Sequence, residues 1–210
     1  IPMFFPDYKP VTDAETRAKY EDFWGTTLDP ERGLTVVEIT EAAYDGDIKA
    51  MYIMGENPAM SDPDQEHART ALATLDILVV QDIFMTETAA FADVILPASA
   101  FPEKDGTVTN TDRRVQMGRA AVPMPGEAQQ DWWIIQELAN RMGLNWTYSH
   151  PRDVFAEMRM VMPSLTGISW QRLDDEGAVT YPCADENSAG REVIFGDGFP
   201  TESGRGRMTP

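Results

Sequence analysis

The chain has 210 residues, 42% of them apolar and 25% charged, a size and balance that suit a globular protein with a real core. Its 17 basic and 35 acidic residues give a formal net charge of −18, which repels phosphate backbones and anionic lipid and so argues against nucleic acid and membrane surfaces as partners. The apolar runs are strand-sized, well short of the roughly 20 residues a membrane span requires. Cys183 is the single cysteine, which excludes an internal disulfide and suits a reducing, cytoplasmic setting. The first residue is Ile1, with no initiator methionine or signal-peptide pattern, so the chain reads as a piece of a longer polypeptide or a processed product.

Residues 1–10 are rich in proline and aromatics and read as an extended arm. Thr12-Asp13-Ala14-Glu15 has the form of a capping box and predicts a helix to Trp24, stopped by Gly25. Thr35-Val36-Val37-Glu38 is a second box and predicts a short helix ending near Gly46. Residues 48–54 then form an apolar strand of the kind covered on both faces. A helix over 63–75, a strand over 77–80, a short helix over 87–92 capped by Thr86 and a strand over 94–96 follow. This alternation implies a parallel sheet with right-handed crossovers. Residues 103–116 read as an irregular loop or hairpin. Trp132, Ile135, Leu138, Ala139 and Met142 fall at helical spacing and predict a helix over 129–142, with Gly143 just past its end. A second amphipathic helix covers 151–161. From Pro163 onward turn residues dominate, and the glycine-rich tail reads as a linker or wrapping segment.

Chemistry-bearing residues are few. His67 and His150 stand apart from each other and from Cys183, which gives no zinc or iron–sulfur spacing, so both read as surface or capping residues. No residue reads as catalytic and none as a metal ligand. The strand ends are different, because ligands of open parallel sheets lie just beyond the carboxyl ends of the strands. The first strand runs into Gly55-Glu56-Asn57-Pro58 and the second into Gln81-Asp82-Ile83-Phe84-Met85-Thr86. Gly55 tolerates positive φ and lets a ligand approach the backbone, and Asn57 offers a donor and an acceptor. Asp82 can accept two hydroxyls of a ribose or two N–H groups of a guanine or pterin edge. The plain alternative is that Gly55 and Pro58 make a turn and Asp82 caps one. A lone glycine is not the three-glycine dinucleotide fingerprint, so an ordinary NAD site is not expected.

Residues 52–58 (Tyr-Ile-Met-Gly-Glu-Asn-Pro), 80–89 (Val-Gln-Asp-Ile-Phe-Met-Thr-Glu-Thr-Ala) and 92–97 (Ala-Asp-Val-Ile-Leu-Pro) resemble the catalytic subunit of molybdenum-dependent formate dehydrogenases, in the molybdopterin oxidoreductase superfamily. Glu103-Lys104-Asp105-Gly106-Thr107, residues 109–116, Asp131-Trp132 and Tyr181-Pro182-Cys183 continue the resemblance in the family's order. It implies an α/β fold, a Rossmann-like parallel sheet with helices on both faces plus extended N- and C-terminal segments. Residues 1–47 would be an arm and helices leading into the domain. Residues 48–162 would be a molybdopterin guanine dinucleotide-binding domain. Residues 163–210 would be an irregular segment leading toward a β-barrel domain.

The resemblance also implies a site. Gly55, Glu56, Asn57 and Ser61 would line one loop, Gln81, Asp82, Ile83 and Thr86 the next, and Asp131 would contribute from its helix start. For Asp131 a role as a helix-terminal acid, favoured by the helix dipole, is the alternative. The family's iron–sulfur cysteines, its Cys or selenocysteine metal ligand and its catalytic His and Arg lie upstream of the matching region. The implied cofactor is molybdopterin guanine dinucleotide with molybdenum or tungsten, with an iron–sulfur cluster elsewhere in the intact subunit. The implied partners are the rest of that subunit, iron–sulfur or flavin electron-transfer subunits, and formate. A nitrate reductase-like enzyme or a non-catalytic nucleotide-binding module are the alternatives.

Overall fold

The computed structural model describes residues 2–208, which divide into two compact units. One comprises Ile1–Asp105 with Gly118–Pro151; the other comprises Gly106–Met117 with Arg152–Pro210.

The first unit opens with β1 (Phe4–Phe5) and β2 (Lys9–Pro10), a two-stranded antiparallel pair within the arm. Helix α1 (Ala14–Trp24) is capped by Asp13, whose carboxylate accepts from the Thr16 amide at 2.8 Å. The box expected on Thr12 and Glu15 is therefore set one residue later. Aspartate outranks threonine as a cap, and Glu15 pairs forward with Lys19 at 2.9 Å. Gly25, at φ +64°, closes the helix by donating to the Glu21 carbonyl. Helix α2 (Val36–Tyr44) has the expected reciprocal box, since Thr35 Oγ1 accepts from the Glu38 amide and Glu38 accepts from the Thr35 amide. The Arg32 guanidinium, then the Thr35 amide and hydroxyl, hold the Glu38 carboxyl far below the usual carboxylate range.

Strands β3 (Ala50–Met54), β4 (Ile77–Asp82) and β5 (Val94–Pro97) form a parallel sheet in that order. Between the first two lie α3 (Pro58–Ser61), a turn of helix the sequence did not announce, and α4 (Gln65–Ala73). Pro58 suits the first helical position because it lacks the N–H that would be left unbonded there. The helix expected from residue 63 begins at Gln65, because the Asp64 side chain accepts from the His67 amide. One face of the sheet buries Ile53, Leu78 and Val80 against Ala59 of α3, Leu72 of α4, and Ala89. On the other face α5 (Asp131–Arg141) starts against Gln81, while Tyr52, Met54, Ile77 and Val94 stay more than a third exposed. The apolar strands thus lack the even cover on both faces that their composition suggests.

The second unit contains β6 (Gly106–Thr109), β7 (Arg114–Gly118), α6 (Pro151–Val161), α7 (Trp170–Glu176) and β8 (Ala178–Thr180). Its sheet runs β6-β7-β8, with Val115 opposite Val179 in an antiparallel pair. Val115, Phe155, Leu165, Ile168, Leu173, Val179 and Cys183 form its core. Residues 163–210, expected to be irregular, supply α7, β8 and five of these seven side chains. Among the described residues no helix is long and apolar enough to cross a membrane.

Candidate functional site

The carboxyl ends of β3 and β4 lie side by side, with Met54 opposite Gln81. The Gly55 amide donates to the Gln81 carbonyl at 2.9 Å, which turns the chain at φ +62°. A Cβ built on Gly55 meets nothing within 4 Å, so the loop faces open space there. Beside it Glu56 Oε1 accepts from Ser61 Oγ at 2.8 Å and from the Asn57 amide at 3.2 Å. Both Glu56 and Ser61 are exposed.

Asn57 links the two loops. Its Oδ1 accepts from the Thr88 amide at 3.0 Å and from Thr88 Oγ1 at 2.8 Å, while its Nδ2 donates to Glu87 Oε2 at 2.7 Å. Thr88, fully buried, accepts in turn from the Ala59 amide at 3.0 Å. The Asn57 bond, more than any other influence, pulls the Glu87 carboxyl below its ordinary value. Asn57 therefore meets protein at both ends of its amide.

Asp82 Oδ1 accepts from the Ile83 amide at 2.7 Å, with a longer 3.4 Å contact from the Phe84 amide, and so shapes its own turn. Among the described residues no donor reaches its Oδ2. The turn holds out Ile83, Phe84 and Met85, which are 48%, 73% and 72% exposed. Thr86 Oγ1 accepts from the Ala89 amide at 3.1 Å, but the helical turn is shorter than expected, residues 89–91. Its N-cap position is held by Thr88 with no side-chain cap bond, so Thr86 braces the preceding turn instead of capping the helix.

Gln81 is wholly buried and joins three elements. Its Oε1 accepts from the Tyr52 hydroxyl, and its Nε2 donates to Asp131 Oδ1 at 2.7 Å. Asp131 Oδ2 receives the Lys104 ammonium, which also donates to the Ser99 carbonyl at 2.8 Å. Burial, then the Asp131 charge, raises the Tyr52 phenol above its usual value. Asp131 stands first in α5, yet its carboxylate is engaged by Gln81 and Lys104.

The structure thus brings Gly55, Glu56, Asn57, Ser61, Gln81, Asp82, Ile83, Thr86 and Asp131 to the strand ends. It adds Tyr52, Glu87, Thr88 and Lys104. Lys104 and Thr88 lie inside the recognisable sequence blocks, but bonds spanning 27 to 31 residues leave no periodic trace. His67 is elsewhere, packed between α2 and α4 with its ring 4.5 Å from Tyr44 and Nε2 3.6 Å from Glu41. Among the described residues no group of three His, Cys, Asp or Glu side chains is arranged to hold a metal ion.

Residues 14–141, which span every element of this site, match the molybdopterin oxidoreductase family. The chain belongs to that family. It is 48% identical, over its whole length, to the F420-dependent formate dehydrogenase subunit alpha of Methanocaldococcus jannaschii, and covers 31% of that protein. It is 43% identical over 95% of its length to the putative formate dehydrogenase YrhE of Bacillus subtilis, covering 20% of that protein. It therefore spans about a fifth to a third of the curated relatives it matches. Among solved structures, the acetylene hydratase of Pelobacter acetylenicus superposes on 80% of the chain with a TM-score of 0.60 and 25% identity, over 23% of that enzyme's length. A protein named for a different activity shares this fold, so the fold alone does not name the reaction.

Proposed function

We propose that this chain is the part of a formate dehydrogenase catalytic subunit that binds one molybdopterin guanine dinucleotide at the carboxyl ends of β3 and β4. The observation that carries this reading is the pairing of an open glycine turn at Gly55 with a carboxylate at Asp82 whose Oδ2 no donor among the described residues reaches, on adjacent parallel strand ends. The residues fit such a group. Gly55 admits close approach to the backbone, Asp82 Oδ2 can accept an N–H or hydroxyl, and the exposed Ile83 offers an apolar surface beside it. Glu56 and Ser61 lie on the same rim. Asn57, Gln81, Thr86 and Asp131 hold these loops in place.

When bound, the dinucleotide and its molybdenum or tungsten supply the redox chemistry. This chain's residues bind and orient the group. The formate dehydrogenase names of relatives up to 48% identical support formate as the substrate. The subunit designation of the Methanocaldococcus jannaschii relative supports further subunits as partners.

The test is made in the intact subunit that carries these residues. Extraction should release a guanine nucleotide from the pterin cofactor, and formate should reduce a dye acceptor. Asp82→Ala should lose dinucleotide and metal together, roughly tenfold or more in affinity for one charge-assisted contact. Wild-type metal and nucleotide content in Asp82→Ala, with only a lower melting temperature, would leave Asp82 as a turn-former and remove it from the site.

A further inference from the structure

Gln81 does two things at once. Its carbonyl holds the Gly55 amide, and its side chain, with no exposure to solvent, is held by Tyr52 and Asp131. An amide buried this completely keeps its orientation only while both ends are bonded. The Asp131 end depends on a carboxylate that is 35% exposed and whose second oxygen faces one cation, Lys104, itself 27% exposed. Lys104 follows β5 in the chain and is tied there by its bond to the Ser99 carbonyl. A polar chain thus runs from Lys104 through Asp131 and Gln81 to the backbone of Gly55, reaching Tyr52 on β3 as well.

We propose that Lys104 is a positioning residue for the dinucleotide site, acting through Asp131 and Gln81 on the Gly55 turn. The inference rests on the functional reading above. Removing one partner of a partly buried ion pair leaves an uncompensated charge, whereas removing both charges together is much better tolerated. Without Lys104 the Asp131 carboxylate turns toward water. Gln81 Nε2 then loses its acceptor, and the Gly55 turn loosens. If Asp131 is neutralised at the same time, an asparagine oxygen can still accept from Gln81, and the turn is kept.

Four forms of the intact subunit decide it: wild type, Lys104→Met, Lys104→Arg and the double variant Lys104→Met/Asp131→Asn. Two quantities are read, the guanine nucleotide retained per subunit after dialysis and the hydrogen exchange of the Gly55 amide in cofactor-free protein. Lys104→Met should lose dinucleotide about tenfold faster, as for one charge-assisted contact, and exchange Gly55 faster. Lys104→Arg and the double variant should both stay near wild type in both readings. A double variant as impaired as Lys104→Met overturns the proposal, because neutralising Asp131 would then fail to restore the Gln81 bond and the Gly55 turn. Wild-type retention and exchange in Lys104→Met overturns it as well. If the wild-type subunit yields no guanine nucleotide, the functional reading fails, and the Gly55 exchange pattern still decides whether Lys104 positions the turn.

Discussion

Glu87 is exposed, yet its carboxyl is held below the ordinary glutamate value, first by the bond from the Asn57 amide. A carboxyl whose folded-state pKa is depressed adds stability above its unfolded value, and that contribution is lost as pH falls through the folded value. In Asn57→Ala the Glu87 titration, followed by carbon-detected NMR, should move up toward the ordinary glutamate range. An unchanged midpoint would show that the bond to Asn57 does not hold in solution. Gly55 gives a second residue-scale test. Its φ of +62° costs a residue with a Cβ about 1 kcal/mol, and the open space around it adds no clash. Gly55→Ala should therefore lower the stability of the cofactor-free protein by about 1 kcal/mol in urea unfolding. Its dinucleotide content should fall much further, because the methyl group would occupy the ligand's approach. Equal small effects on both would place the ligand away from Gly55. The sequence made Gly55 and Asp82 legible because each sits at the end of an apolar run. It left Lys104 and Tyr52 silent, since their meaning comes only from Gln81 and Asp131 across the fold.

At the scale of elements, local signals read best where they close within one turn. The Thr35–Glu38 box is reciprocal and self-contained, and α2 begins where it says. The box on Thr12 fails by one residue because Asp13, next to it, competes for the same orphan amides. Thr35→Ala should cost about 1 kcal/mol, the usual price of a helix N-cap, seen as a lower urea midpoint with an unchanged slope. No loss would mean that the Arg32–Glu38 pair alone fixes the helix start. The three parallel strands were legible from apolar runs between helical patterns. Their uneven cover was not, because composition reports that a strand is apolar and not what lies against it. Tyr52 shows the difference: it is more than a third exposed, yet its hydroxyl is fixed on Gln81.

At the scale of the whole chain, the second unit is assembled from residues far apart in sequence, and two of its arginines fasten it through backbone carbonyls. Arg113, at φ +68°, donates to the carbonyls of Tyr181, Arg191 and Glu192 at 2.6 to 2.9 Å. Arg172 donates to the carbonyls of Gly167 and Ser188 at 2.9 and 2.8 Å. Carbonyl acceptors leave no mark in a side-chain pattern, so the glycine-rich tail reads as a linker although its start is bound into the unit. Gly190 measures how firmly. It sits at φ +83°, and a Cβ there would run into the Thr180 carbonyl at the end of β8. Gly177 also has positive φ, at +79°, but a Cβ there meets nothing within 4 Å. Gly177→Ala should therefore cost about 1 kcal/mol for conformation alone. Gly190→Ala adds a clash with backbone and should cost about 3 kcal/mol in total. Loosening the tail at Gly190 should also uncover Cys183, which is 1% exposed, and speed its reaction with a thiol reagent, while Gly177→Ala leaves that rate near wild type. Equal costs and equal thiol rates in the two variants would mean that the tail does not rest against β8 in solution.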